Sequence, residues 1–184
     1  MNIEGGIESF DEFNRLACEI GKRKDLDNVQ KVQELQKLFK DSKYKTDVNV
    51  PKDAKYIKEF DSNGNVIYNW PMKLGFKDGT IEPITRENGL SIIWDRYGYM
   101  GGNNFADVPL SGKYTYSERA IPYLENEEAY HSGTFNVDSY FDKIDATYGV
   151  KGIASAWSEL SGGARQFVMP LNGNIMKTIG ILYE

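Results

Sequence analysis

Polar side chains end or follow apolar segments at several points along the chain, and their types suit chemistry on a small molecule. Arg96 and Arg119 stand in the stretches "IIWDRYG" and "SERAIP", His131 is the single histidine, and Gln166 follows the glycines of "SGGARQF". The fork of an arginine suits paired anionic oxygens such as those of a phosphate. Glycine lets the backbone approach a ligand closely, so an amide beside it can contact that ligand. These four residues are therefore candidates for a binding or catalytic site.

Each of the four also has an ordinary structural interpretation. Arg96 and Arg119 can be strand-end residues that form ion pairs, and His131 can be a surface residue or a satisfied polar one. Gln166 can simply be solvated at the start of the apolar segment "FVM". Taken one at a time, the residues leave both interpretations open.

Composition excludes several classes of protein. The chain has 184 residues with a net charge of −5, which fits one domain with a small appendage and argues against nucleic acid as the main partner. The single cysteine, Cys18, and the single histidine exclude an internal disulfide, multi-cysteine metal sites and sites with two histidine ligands. We expect no metal site, no membrane span and a Cys18 buried on a helix.

Common catalytic and nucleotide-binding signatures are missing from the sequence. It contains no GxxxxGK[ST] phosphate loop, no GxGxxG between a strand and a helix, and no GxSxG elbow. The acidic residues are scattered and pick out no carboxylate pair. The candidate residues must therefore be positioned by a less common framework.

The first 45 residues predict a helical arm. In "SFDEFNRLACEI" Ser9 is the expected N-cap, with Glu12 as its capping-box partner and Gly21 as the stop signal. The stretch "DNVQKVQELQKLFKDS" predicts a second amphipathic helix. We interpret residues 1–45 as an N-terminal arm or linker.

The rest of the chain, residues 46–184, predicts short strands and turns. Asn63-Gly64 between alternating segments indicates a hairpin, and a buried strand is expected over Leu90–Trp94. "YTYSERAIPYL" is expected to be a strand or an irregular segment, and "GTFNVDSYFDKIDATYGVKGIASAW" carries weak strand signals. "NIMKTIGILYE" predicts a helical turn followed by a strand. The fold class is therefore α+β, with a core of small, twisted, mostly antiparallel sheets.

Four stretches, taken in order, resemble one known family. "DRYGYMGGNNF", "YSERAIPY", "YH" and "GIASAWSELSGGARQFVMP" are similar to the catalytic domain of the tuberculosis necrotizing toxin family. These are NAD+ glycohydrolase domains found at the C-terminal end of secreted polymorphic toxins. The resemblance spans roughly Tyr68 to Glu184, includes a "WP…GF" segment that begins at Trp70, and leaves out the first 45 residues.

The resemblance implies roles for individual residues. Arg96 and Gln166 match the two residues that the family needs most, and His131 falls where some members have a functional histidine, so these three are the expected catalytic residues. Arg96 and Arg119 are expected to grip the substrate pyrophosphate, and Gln166 to bond the ribose hydroxyls. The expected substrate-binding residues are Arg119, Phe105, Tyr97, Gly162, Gly163 and Trp157. Two stretches, "GGARQ" and "ASAWSEL", differ from the family's usual sequence pattern. The difference concerns the shape of the pocket.

The resemblance also implies an activity and its setting. The expected reaction is hydrolysis of NAD+, or of NADP+, to nicotinamide and ADP-ribose, so NAD+ is the substrate and no cofactor is expected. Such a domain is secreted by its producer as part of a larger antibacterial or cytotoxic protein, acts in the target-cell cytosol and has a cognate immunity protein. Transfer of ADP-ribose to an acceptor and NAD+ binding without catalysis are the alternatives.

Overall fold

The computed structural model describes residues 6–89, 93–144 and 149–184. These residues form two compact units: one contains the described chain up to Trp70 together with Pro122–Ala129, and the other contains Pro71–Ile121 and Tyr130–Glu184. Helices and antiparallel strands occur in both, so the predicted α+β class is confirmed. The boundary drawn at residue 45 stays a prediction, although the helices that precede it share a unit with residues up to Trp70.

Two helices and a hairpin build the first unit. The helices are α1 (Phe10–Lys22) and α2 (Asn28–Asp41), and the hairpin strands are β1 (Ile57–Phe60) and β2 (Val66–Tyr68). The predicted N-cap of α1 is confirmed, because the Ser9 hydroxyl accepts a 3.2 Å hydrogen bond from the backbone N–H of Glu12. The core of this unit is formed by Ile7, Phe13, Leu16, Leu35, Val48 and Val50.

The hairpin forms around Asn63-Gly64, as the sequence predicts. The Asp61 carboxylate accepts hydrogen bonds of 2.8 Å from the backbone N–H groups of Asn63 and Asn65, which fixes the turn. Gly64 has φ +84, a conformation that glycine adopts without steric cost.

Gly21 does not end α1, so this prediction is wrong. The helix continues to Lys22, and Gly21 is buried against the hairpin turn. A Cβ atom at position 21 would lie 2.0 Å from the Gly64 carbonyl oxygen. The glycine therefore allows a close approach of helix to turn and is not a stop signal.

A seven-stranded antiparallel sheet forms the second unit, in the order β3-β7-β8-β5-β4-β6-β9 among the described residues. Its strands are β3 (Glu82–Pro83), β4 (Ile93–Tyr97), β5 (Asn104–Asp107), β6 (Tyr130–Phe135), β7 (Val150–Ile153), β8 (Arg165–Val168) and β9 (Leu182–Tyr183). The helices α3 (Val137–Lys143) and α4 (Gly173–Thr178) share its core with side chains of the sheet, including Trp94, Phe105, Phe135 and Phe167. The helical turn and strand predicted from "NIMKTIGILYE" are confirmed as α4 and β9.

Other local predictions have mixed outcomes. Leu90, Ser91 and Ile92 of the expected strand lie outside the described residues, and β4 continues past Trp94 to Tyr97. The segment that begins at Gly133 was expected to carry weak strand signals, and the prediction did not include α3. The side chain of Asn136 caps this helix by accepting a hydrogen bond from the Ser139 N–H. "YTYSERAIPYL" takes the irregular alternative as a series of turns. Cys18 is only half-buried.

A helix suited to crossing the hydrocarbon layer of a bilayer, in both length and apolar character, does not occur in the described ranges.

Replacing Gly21 by alanine tests the packing of α1 on the hairpin. Helix propensity alone would make Gly21→Ala more stable by about 1 kcal/mol. Because the added methyl group meets the Gly64 carbonyl, we expect a loss of about 1–3 kcal/mol in the free energy of unfolding instead. Urea denaturation of the two proteins measures the sign, and a more stable variant would contradict this packing.

Candidate functional site

One row of residues crosses the middle of the large sheet on a single face. Gln166 of β8 lies opposite Gly152 of β7 and Ala106 of β5, and Ala106 lies opposite Asp95 of β4. Directly opposed residues project to the same side of an antiparallel sheet, so we call this side the Gln166 face. Ala106 and Asp95 are buried, whereas Gln166 is half-buried. The backbones of Gln166 and Asp95 are two strand spacings apart, which is about 10 Å.

The amide of Gln166 has one long hydrogen bond in the described structure. Its Nε2 atom donates to the Gly75 carbonyl oxygen at 3.4 Å, and Gly75 belongs to the "GF" segment of the family resemblance. Gln166 is also among the residues that line a cleft of about 530 Å³, but Lys151, Arg165 and Phe167, which line it too, alternate with Gly152 and Gln166 along β7 and β8 and so project from the opposite face of the sheet. A half-buried amide with weak internal bonding can exchange that bond for one to a ligand.

The glycines of the turn before Gln166 are explained by the conformation and packing of the backbone. Gly162 and Gly163 have φ +65 and +103, and a Cβ atom on Gly162 would lie 2.6 Å from the Ala154 carbonyl oxygen. The backbone N–H groups of Gly162 and Ala164 donate to the carbonyl oxygens of Ser117 and Glu118, each at 3.0 Å. The turn is therefore bonded to the loop that carries Arg119. Gly163 is exposed, with open space where a side chain would be.

A buried ion pair joins that loop to the sheet. The Nη2 atom of Arg119 contacts Oδ1 of Asp95, and the other carboxylate oxygen accepts a 3.0 Å hydrogen bond from the Tyr130 hydroxyl. The arginine also donates from Nε to the Tyr114 carbonyl at 3.3 Å. Asp95 is 0% exposed and Arg119 is 8% exposed. Burial raises the pKa of the Asp95 carboxyl, and the charge of Arg119 opposes that shift.

Aromatic rings surround the ion pair. The Tyr97 ring lies 4.3 Å from that of Tyr116 and 5.2 Å from that of Tyr130, and the Arg119 guanidinium stacks 5.2 Å from its centre. Lys113 places its Nζ atom 4.2 Å above the Tyr130 ring and 5.6 Å from the Tyr97 ring. Tyr97, expected to bind substrate, is buried within this cluster.

Arg96 projects from the opposite side of the sheet. It follows Asp95 in β4 and lies opposite His131 of β6, and successive strand residues alternate between faces. Its Nη1 atom donates to the Asn104 carbonyl at 3.2 Å, and its guanidinium lies 5.2 Å from the centre of the Phe105 ring. A Cβ atom on Gly102 would lie 2.4 Å from Nη2, so the buried guanidinium rests on the turn between β4 and β5.

His131 is paired with an acidic residue that the sequence did not single out. Its Nδ1 atom lies 2.7 Å from Oε1 of Glu184, whose other carboxylate oxygen pairs with Lys177. Burial alone would raise the pKa of Glu184, but the hydrogen bonds from Lys177 and His131 outweigh it and lower that pKa.

The structure therefore divides the predicted site residues between two faces. Gln166, Arg119 and Tyr97 belong to the Gln166 face or the loop packed on it, together with the turn at Gly162 and Gly163. Arg96, His131 and Phe105 lie on the other face, where Phe105 is part of the hydrophobic core. Trp157 is half-buried and begins a tight turn closed by backbone hydrogen bonds of 3.0 Å with Leu160. Their assignment to a catalytic site stays a prediction.

Asp95, Glu184 and Lys113 are the charged residues that sequence reasoning missed. Asp95 had a usable signal, because a carboxylate inside a buried apolar strand requires a partner. Glu184 and Lys113 had none, since the partners that bring them to these residues, His131 and Tyr130, lie 53 and 17 positions away along the chain.

Comparison with known proteins shows a likeness of fold. No protein-family model matches the chain, and no curated protein sequence matches it. Among solved structures, the chain is similar to tuberculosis necrotizing toxin (TNT) complexed with its immunity factor IFT, with a TM-score of 0.50 and 15% sequence identity. The match covers 79% of this chain and 73% of the other. At that identity the likeness concerns the fold alone.

Asparagine in place of Asp95 tests the buried ion pair. The variant keeps the shape of the side chain but leaves the Arg119 charge buried without its counter-ion, so we expect the free energy of unfolding to fall by about 3–5 kcal/mol. Arg86→Gln is the matched control, because its pairs with Asp138 and Asp142 are exposed and contribute less than about 1 kcal/mol. Chemical denaturation of both measures the difference. Equal stabilities of Asp95→Asn and the control would contradict a central role for the pair.

Proposed function

We propose that the chain is an NAD+ glycohydrolase that converts NAD+ and water to nicotinamide and ADP-ribose. The observation that carries the proposal is the half-buried amide of Gln166 in an interior strand of the sheet, three residues after Gly163 of the glycine turn. The fold likeness to TNT supports it, because that likeness extends over 79% of the chain. The proposal gives this residue, which the family resemblance implies is essential, the role of contacting the substrate.

The reaction requires little acid–base assistance. The bond from ribose C1′ to the pyridinium nitrogen breaks with its electron pair going to that nitrogen, so nicotinamide leaves as a neutral molecule. The ribose becomes oxocarbenium-like, water adds its oxygen to C1′, and one proton is released. A protein accelerates such a step chiefly by holding the substrate in a reactive pose and by placing dipoles near the developing charge.

In this proposal Gln166 bonds the hydroxyl groups of the nicotinamide ribose. A glutamine amide both donates and accepts, so it can bond two neighbouring hydroxyls and orient C1′ toward water. The exchange costs little, because the bond that Gln166 gives up, to the Gly75 carbonyl, is 3.4 Å long. Ala106, which lies opposite Gln166 in the neighbouring strand β5, has a small side chain and adds no bulk on that side of the amide.

Arg119 acts as a positioning residue in this proposal and does not touch the substrate. Its guanidinium is buried against Asp95, and its loop holds the backbone of the glycine turn that precedes Gln166. The ion pair therefore fixes the start of β8. Arg96 has a similar structural role on the other face, where it donates a hydrogen bond to the Asn104 carbonyl and so stabilises the turn between β4 and β5.

The biological setting is part of the proposal. The similar solved structure is that of a toxin complexed with an immunity factor. By analogy, we propose that this chain is a toxin domain delivered as part of a larger secreted protein, that it depletes NAD+ in the cytosol of a target cell, and that its producer makes a protein that blocks it.

Alanine in place of Gln166 tests the assignment. Loss of a single polar contact to the transition state typically costs at least about a hundredfold in kcat, and we expect that loss in nicotinamide release from NAD+. Gln33→Ala, an exposed glutamine of α2, is the control and should keep the parent rate. Circular dichroism checks that both variants fold. A folded Gln166→Ala protein with a rate within twofold of the parent would remove Gln166 from the site.

A further inference from the structure

The turn that precedes Phe76 holds two ordinary residues in a backbone conformation that favours glycine. Lys73 and Leu74 both have φ +59, and Gly75 follows with φ +80. In this region the Cβ atom of an L-residue crowds the carbonyl oxygen that follows it, so Lys73 and Leu74 are strained and Gly75 is not. We call residues 72–75 the strained turn.

The side chains of the strained turn do not offset this strain. Met72 is 86% exposed and Leu74 is 66% exposed, so these two apolar side chains gain little from the conformation. The ion pair of Lys73 with Asp78, at 2.7 Å, is exposed as well and contributes little to stability. The turn is therefore held in place by its C-terminal end.

Phe76 and Gly75 hold that end against the sheet. Phe76 is 2% exposed, and its ring occupies the space that a side chain at Gly152 would need, since a Cβ atom there would lie 2.7 Å from Cδ1. The Gly75 carbonyl oxygen accepts a 2.9 Å hydrogen bond from the Ser155 N–H and the 3.4 Å bond from Nε2 of Gln166. The carbonyl group that ends the strained turn thus lies against the amide of Gln166.

We propose that the strained turn is a gate over Gln166, an inference that rests on the proposed function. In the closed form the Gly75 carbonyl takes the bond from the Gln166 amide that the substrate ribose is proposed to take. Opening breaks the two bonds of this carbonyl and releases Lys73 and Leu74 to the common negative φ range. The strain that is lost offsets part of the cost of the broken bonds, which is why strained backbone is typical of switch regions.

Two substitutions of Leu74 separate the backbone strain from the side chain. Leu74→Gly removes the strain at this position, because glycine has no Cβ atom, and so favours the closed turn. Leu74→Ala is the matched control, since it removes the same exposed side chain beyond Cβ and keeps the strain. Because relief of strain exceeds the greater freedom of glycine in the open form, we expect amide hydrogen exchange at Ser155, measured without substrate, to be about three- to tenfold slower in Leu74→Gly than in the parent or in Leu74→Ala.

The same factor is expected in catalysis. The apparent affinity for a ligand falls in proportion to the fraction of protein that is open to it. We therefore expect kcat/KM for NAD+ to fall about three- to tenfold in Leu74→Gly and to stay at the parent value in Leu74→Ala. Slower exchange at Ser155 together with an unchanged kcat/KM would contradict a gate over the site.

The exchange measurement also stands without activity. Equal or faster exchange at Ser155 in Leu74→Gly, or equal slowing in both variants, would overturn the inference. If the parent protein releases no nicotinamide from NAD+, the proposed function fails and exchange alone decides on the turn. Slower exchange in Leu74→Gly alone then supports opening driven by strain, and equal rates in the three proteins overturn it.

Discussion

The buried ion pair between Asp95 and Arg119 is the interaction on which the arrangement of the Gln166 face depends. It joins β4, an interior strand of the sheet, to a loop built of turns, and that loop in turn bonds the backbone of Gly162 and Ala164. Both charges are almost fully removed from water, so each requires the other, and loss of one partner is far more costly than the pair's net contribution to stability. The start of β8, and with it the position of Gln166, follows from this pair.

The alternation of side chains along β4 is the second constraint. Asp95 and Arg96 are neighbours in the sequence, so they must project to opposite sides of the sheet. Asp95 pairs with Arg119 of the loop on the Gln166 face, and Arg96 packs against the turn at Gly102 on the other face. One strand thus stabilises both faces, and two adjacent charged residues that look like parts of a single site have separate structural partners. The polar group that remains half-buried in the row is the amide of Gln166, while Lys113 brings a cation to the aromatic cluster beside it.

The sequence predicted the elements whose signals are local. The Ser9 cap, the Asn63-Gly64 hairpin and the final helix and strand each depend on residues within a few positions of one another, and all are present. The α3 helix was missed because its seven residues are too few for a clear period against flanking strand signals. Gly21 was misinterpreted because the reason for a glycine there, the approach of Gly64, lies 43 positions along the chain. For the candidate site, residue types and the resemblance identified Gln166 and Arg119, but the division between faces depends on strand register, and register is a long-range property.

The balance of products from NAD+ tests the central claim most directly. Purified protein is incubated with NAD+, and nicotinamide, free ADP-ribose and protein-bound ADP-ribose are quantified in the same samples. The account predicts that nicotinamide and free ADP-ribose appear in equal amounts, with none attached to protein. Nicotinamide accompanied by ADP-ribose on protein would indicate a transferase, and NAD+ that remains intact with a folded protein would contradict a glycohydrolase.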